Sequence, residues 1–272
     1  MATLEEWGKE RGRMAGEPRL YCRFDLGGTV YQGLLRGNMV DLVKGDPGGS
    51  LEDLRVSYPL SRVRLLPPVE PQTLFCIGRN YADHAKELGN DVPEEPLVFL
   101  KARSALLPPE GSIEIPSWVG RVDYEGELGV VIRKPCRRVT EEQALDYVLG
   151  YTCFNDVTAR DLQRKDGQWS RAKGFDTFAP LGPVLLLARE MSPQTRVRTA
   201  LNGKVVQDGR LEQLIFPVPR LIAHLSRFAT LMPGDVIATG TPEGVGPLKP
   251  GDRVEVQIDG IGTLSNVCIP DA

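Results

Sequence analysis

An α+β fold that is mostly β is what this sequence predicts, and three observations predict it. Glycine and proline number 29 and 22 among 272 residues, so turns are frequent and a bundle of long helices is disfavoured. Short runs of β-branched and aromatic residues recur along the chain, each bounded by Gly, Pro, Asn or Asp. The clearest helical stripe covers only residues 219–229, with Leu221, Ile222, Leu225 and Phe228 on one face.

The elements follow in order. Residues 1–70 read as a small N-terminal β domain. Runs 19–24 and 30–35 flank a Gly27-Gly28 turn, and 39–43 follows before Gly45-Asp46-Pro47-Gly48-Gly49. The proline-rich stretch 65–71 marks a linker, with a larger domain over 71–272. That domain opens with a strand at 73–77 closed by Gly78. Residues 81–88 fit a helix stopped by Gly89-Asn90-Asp91, and 97–100 is a strand. Residues 129–132 are β-branched enough to form a buried strand, and 141–148 fits a short helix leading into a strand at 150–154. A strand at 183–187 comes next, then 199–201 and 204–206 joined by an Asn202-Gly203 hairpin turn. Runs 236–239 and 253–258 complete the framework, without internal repeats.

Composition excludes several classes. A net charge of −3 with no long Lys/Arg block argues against nucleic acid as a partner. No stretch approaches the length of a membrane span, and Met1-Ala2-Thr3-Leu4-Glu5-Glu6-Trp7 lacks the apolar core of a signal peptide. Cysteines 22, 76, 136, 153 and 268 match neither a C-x-x-C motif nor a zinc ribbon, so a cytoplasmic protein is expected. Cys76 and Cys153 lie in apolar runs and read as small core residues.

The chemistry centres on Asp123-Tyr124-Glu125-Gly126-Glu127-Leu128, which leads into the run at 129–132. Glu125 and Glu127 are two apart and so share one face of a strand. Two carboxylates at the end of an apolar strand repel each other and resist desolvation, which calls for a cation. Hard oxygen ligands suit Mg²⁺, Mn²⁺ or Ca²⁺ better than zinc. Asp156 ends another apolar strand and supplies a third carboxylate, although Asn155-Asp156 equally fits the cap of a helix starting at Val157.

Three further features surround that motif. His84 and Glu87 are i, i+3 neighbours on a helix, where the carboxylate can fix the imidazole tautomer; an incidental exposed pair has the same spacing. His224, among Leu221, Ile222 and Leu225, reads as structural. Lys173 sits in a polar segment with aromatics and glycine, suited to steadying an enolate or, equally, to a surface turn. The loop Thr239-Gly240-Thr241-Pro242-Glu243-Gly244-Val245-Gly246 lacks the ending of a P-loop. Its N–H groups and the Thr241 hydroxyl could hold a carboxylate, and a plain turn is the competing reading.

Taken together, Gly78-Arg79-Asn80-Tyr81-Ala82-Asp83-His84, the Glu-Gly-Glu segment, Asn155-Asp156-Val157-Thr158-Ala159-Arg160-Asp161-Leu162-Gln163, Gln168 to Phe178 and Thr239-Gly240-Thr241-Pro242 resemble the fumarylacetoacetate hydrolase family. The resemblance covers most of 73–272 in the same order and implies a mixed β-roll and a homodimer. It implies Mg²⁺ or Mn²⁺ at Glu125, Glu127 and Asp156, with Ca²⁺ able to take the site in a crystal. His84 and Glu87 would lie on a short lid helix, Lys173 beside the metal, and Arg160, Gln163 and Thr241 against substrate. No further upstream carboxylate is identifiable of the kind longer members carry, which favours the acylpyruvase, oxaloacetate decarboxylase and hydroxyheptadienedioate isomerase branch.

The expected substrate is therefore a small 2-oxo acid and the expected activity C–C hydrolysis or decarboxylation through an enolate. The His84–Glu87 pair tilts the expectation to cleavage over isomerisation of a dienedioate. A catalytically silent oxo-acid binder and a structural Ca²⁺ site are the competing classes.

Overall fold

The structure, a computed structural model, describes residues 18–87, 89, 91–188 and 190–271. The expected charged N-terminal segment, and Leu88 and Asn90 at the end of the expected helix, lie outside the described residues.

Four strands, β1 (Leu20–Leu26), β2 (Thr29–Arg36), β3 (Met39–Gly45) and β4 (Leu51–Pro59), form an antiparallel meander. The sequence reading lacks β4 because most of its residues are exposed, so no buried face shows as alternation. The first residues of the expected linker form β5 (Arg64–Leu66), which pairs back onto β1. Next come β6 (Leu74–Gly78), the helix Ala82–Glu87, β7 (Leu97–Lys101), β8 (Leu106–Leu107), β9 (Ser112–Ile115) and β10 (Val122–Tyr124). The central strands are β11 (Gly126–Ile132) and β12 (Val148–Asn155). The helix expected between them is one turn, Glu141–Ala144, continued by a 3-10 turn, Leu145–Tyr147.

The two-residue β13 (Thr158–Ala159) precedes helices Arg160–Asp166 and Ser170–Lys173. β14 (Ala179–Leu186), the hairpin of β15 (Arg196–Leu201) and β16 (Lys204–Arg210), and the helix Val218–Phe228 follow. β17 (Val236–Ala238), β18 (Gly246–Pro247), β19 (Arg253–Ile258) and β20 (Gly262–Pro270) complete the chain.

The largest sheet runs β4-β3-β2-β1-β14-β12-β11-β17-β6-β7. Its N-terminal strands join the rest where β1 pairs with β14 at Leu20–Leu186 and Tyr21–Leu185. A five-stranded sheet, β16-β15-β19-β20-β9, and a small one, β13-β10-β18, pack beside it. The mixture of parallel pairs (β6 with β17, β8 with β14, β9 with β20) and antiparallel ones gives the mixed, mostly β architecture expected.

Alternation along β11 explains why both sides of the large sheet are buried. Leu128, Val130 and Ile132 enter one core with Leu221, Ile222 and Leu225 of the long helix and with Val197, Val256 and Leu264 of the second sheet. Val131 enters the other core with Cys76, Phe154 and Leu181. A strand buried on both faces reads as continuous apolar sequence, which is what 128–132 shows. Phe228 departs from its expected place on the apolar face: it is 63% exposed at the helix's last residue, against the His224 ring at 5.9 Å. All five cysteines are buried and free. Among the described residues no helix is long and apolar enough to cross a membrane.

Candidate active site

Register brings the acidic residues together. In the antiparallel pair of β11 and β12, Gly126 faces Asn155 and Glu127 faces Phe154. One step beyond, the Asp156 N–H donates to the Glu125 carbonyl at 2.8 Å, and the Glu125 N–H donates to Asn155 Oδ1 at 3.0 Å. Glu125, Glu127 and Asp156 are all buried, and one carboxylate oxygen from each lies within 4.8 Å of the others. The capping alternative for Asn155-Asp156 fails. The next helix starts at Arg160, and both side chains are committed elsewhere.

Buried cations line up against this cluster. Lys173 Nζ donates to Glu125 Oε2 at 2.8 Å and to Asp156 Oδ2 at 2.6 Å, while lying 4.8 Å from the Phe99 ring centre. The alternative of a surface turn is excluded, since Lys173 is 1% exposed. Lys101, at the end of β7, donates to Asp156 Oδ1 at 2.6 Å and to the Val157 carbonyl at 3.0 Å. Arg160 donates from Nε to Asp123 Oδ2 at 2.9 Å and from its guanidinium to Glu125 Oε1 at 2.5 Å. Sequence reasoning missed Lys101 and Asp123. The signal for Lys101 was a charge closing the apolar run Leu97-Val98-Phe99-Leu100.

Charge balance differs among the three acids. Burial opposes ionisation of Glu125, yet Lys173 and Arg160 overcome it and hold its carboxyl below the ordinary range. Burial, then the negative charge of Asp156 and Glu125, pushes Glu127 well above that range. Its one hydrogen bond among the described residues comes from the Gly240 N–H to Oε2 at 2.8 Å. Burial likewise works against the charge on Lys173 and Lys101. Asp156 and Glu125 outweigh it for Lys173, whose pKa is raised, whereas that of Lys101 stays lowered. Three clustered oxygen donors, the charge on one of them opposed by burial and by its neighbours, fit a hard divalent cation, which would relieve the repulsion at Glu127.

The glycine loop after β17 does hold a carboxylate, but the chain's own: Gly240 serves Glu127. Gly240 has φ 96°, and a Cβ there would stand 2.7 Å from that of Asn80. The Thr241 hydroxyl donates to the Gly126 carbonyl at 2.9 Å and accepts from Gln207 at 2.8 Å. Gln207 also accepts the Gly126 N–H, another contact that the sequence did not announce. Gly126 is required by closeness: a Cβ would lie 2.0 Å from Thr199 Oγ1. On the helix Ala82–Glu87, Glu87 meets His84 Nδ1 at 3.3 Å and accepts the Gly244 N–H at 3.1 Å. Glu87 is therefore tied to the same loop, not an incidental exposed partner, and His84 is 4% exposed.

These groups line one pocket of about 190 Å³, with Glu125, Glu127 and Asp156, His84, Lys173 and Thr241 in its wall. Gln163 lines it too and accepts from Arg160 at 2.7 Å. Glu87 stands behind His84. The expectation that Arg160 serves substrate meets a guanidinium already divided among Asp123, Glu125 and Gln163.

Residues 73–269 match the family described as "Fumarylacetoacetate (FAA) hydrolase C-terminal", and 20–68 match "Rv2993c-like, N-terminal". The chain belongs to the fumarylacetoacetate hydrolase family. Among its relatives in that family, the oxaloacetate tautomerase YisK of Bacillus subtilis is 44% identical over 223 residues, 77% of this chain and 74% of the relative. The 5-carboxymethyl-2-hydroxymuconate delta-isomerase structure from Mycobacterium smegmatis is 40% identical, covering 93% of this chain and all of that one, at a TM-score of 0.85. The fumarylpyruvate hydrolase structure from Pseudomonas aeruginosa, in complex with Mn²⁺ and pyruvate, is 36% identical, with 76% and 92% covered and a TM-score of 0.69. Family members thus include tautomerases, isomerases and hydrolases, consistent with the branch that the sequence resembles.

Proposed function

We propose that this chain is a divalent-metal-dependent enzyme that enolises a small 2-oxo acid, with Glu125, Glu127 and Asp156 as the ligands of Mg²⁺ or Mn²⁺. The observation that carries the reading is the convergence of three buried carboxylates on a pocket that His84 and Lys173 also line. A bound divalent cation would supply two-point attachment for a 2-oxo carboxylate and offset the negative charge of its enolate.

The chain's own residues do the remaining work. A carboxylate accepts, so the His84 ring donates to Glu87 from Nδ1 and keeps Nε2 free to take or return a proton. Lys173 is held beside Glu125 and Asp156, where its ammonium can donate to a developing oxyanion. Gln163 and Thr241 remain the proposed substrate contacts in the pocket wall, and Arg160 acts chiefly by fixing Glu125. Phe99 and Trp169, packed edge to face at 5.1 Å, supply the aromatic part of the pocket wall.

Return of the proton to carbon, giving keto–enol exchange or isomerisation, is the first reading of the outcome, supported by the tautomerase and isomerase names of the similar proteins. C–C hydrolysis is the second, favoured by the His84–Glu87 pair, which suits activation of a water. Ultraviolet assays with Mg²⁺ or Mn²⁺ separate them. Faster conversion of the oxaloacetate enol, without acylpyruvate cleavage, supports the first; acylpyruvate cleavage lost in His84→Ala supports the second. Oxalate binding without turnover of any 2-oxo acid would overturn both in favour of a silent binder. The homodimer and cytoplasmic setting belong to the same proposal, and light scattering in solution tests the dimer.

A further inference from the structure

Arg79 is a pocket cation that the carboxylate cluster does not use. It follows Gly78 at the end of β6 and lines the pocket with Glu125, Glu127 and Asp156. Arg160 and Lys173, in the same wall, are committed to buried carboxylates at 2.5–2.9 Å. Arg164 is exposed and stands 3.8 Å from Asp161. Arg79 has neither a hydrogen bond nor an ion pair among the described residues. It also lines an outer, open cavity with Glu94 and Glu95, and no ion pair joins it to either. Its position therefore spans the inner pocket and the outside.

Arg79 has φ 57°, in the left-handed region that a residue with a Cβ adopts at a cost. The neighbouring Asn80 holds that turn from three sides: its amide donates to the Thr239 carbonyl at 2.7 Å and the Phe216 carbonyl at 3.1 Å, and its oxygen accepts the Phe216 N–H at 2.8 Å. A fixed turn thus presents a half-buried, unpaired guanidinium at the pocket.

Electrostatics says what it would meet. The buried carboxylates Asp123, Glu125, Glu127 and Asp156 face the buried cations Lys101, Arg160 and Lys173. A divalent cation would turn that balance positive, and Arg79 adds a further charge with no partner among the described residues. A guanidinium has a planar fork of donors that matches a carboxylate in two-point contact.

We propose that Arg79 receives the distal carboxylate of the substrate and makes this a site for 2-oxo dicarboxylates over 2-oxo monoacids. The inference rests on the 2-oxo acid reading of the pocket, and it assigns the far end of the molecule, which the metal ligands do not touch. Arg79 acts on specificity and takes no part in proton transfer.

Calorimetric titration of the Mg²⁺-loaded protein tests it, with oxalate as a ligand that lacks a distal group and difluorooxaloacetate as a diacid that cannot enolise. Arg79→Gln is expected to weaken difluorooxaloacetate roughly 10- to 100-fold, the worth of a hydrogen bond to a charged group, and to leave oxalate within about twofold. Arg79→Lys should recover part of the loss. Equal weakening of both ligands in Arg79→Gln and Arg79→Lys, or no weakening of the diacid, overturns the role of Arg79. If the wild-type protein binds oxalate and Arg79 makes no difference, the inference falls and the 2-oxo acid reading stands. If the Mg²⁺-loaded wild type binds neither ligand, both fall.

Discussion

Glu125, Glu127 and Asp156 and the pair His84–Glu87 belong to one site, yet they are held in contrasting ways. The carboxylates stand at the ends of paired strands, each no more than 5% exposed and each fixed by hydrogen bonds of 2.5–2.8 Å. His84 and Glu87 stand on a six-residue helix, their contact is 3.3 Å, and the Glu87 side chain is 33% exposed. Six residues are too few for a helix to be stable without its tertiary contacts. For the proposed function the difference amounts to a division of labour: the sheet would preset a binding centre, and the helix would bring proton-transfer groups that can adjust to what is bound. Ligand affinity and turnover should therefore separate on mutation.

The largest effect should follow from the rigid part. Glu127→Gln is expected to reduce Mg²⁺-dependent oxalate binding by at least about 100-fold, beyond the range typical of groups that only support a ligand; calorimetry reads it. On the helix, His84→Ala should lower kcat by roughly 10²- to 10⁴-fold, the worth of a general acid–base, with oxalate affinity little changed. Loss of oxalate binding in that variant would erase the division of labour. Lys101→Met leaves Asp156 without one of its two buried ammonium partners and should cost about 3 kcal/mol in denaturant unfolding. Added Mg²⁺ should return part of that stability, because a cation held by the three carboxylates would bind only the folded chain. The smallest effect is expected from Glu87→Gln, which keeps a hydrogen-bond acceptor beside His84. A loss of about tenfold in kcat is predicted, whereas a loss as large as that of His84→Ala would show Glu87 reacting directly.

How much of this was legible in sequence depended on whether a residue's role was local. Glu125 and Glu127 show as a pair because strand alternation puts i and i+2 on one face, and Asp156 shows because it too closes an apolar strand. His84 and Glu87 show through helical spacing. Lys101 meets Asp156 across 55 residues, and Gln207 meets Gly126 across 81, pairings that only the sheet order creates. The β4 strand was illegible for another reason: an exposed edge needs no apolar face. Arg79 shows in sequence only as part of the Gly78-to-His84 segment, since a lone arginine carries no sign of being unpaired.

The proposed function stands or falls on whether these three carboxylates hold a cation at which a 2-oxo acid is bound and enolised. Its most direct test follows the ultraviolet absorbance of the oxaloacetate enol with wild type and Glu127→Gln, each with Mg²⁺ and with chelator. Acceleration is expected from wild type with Mg²⁺ and in none of the other three conditions. Acceleration that persists in chelator, or in Glu127→Gln, would contradict it.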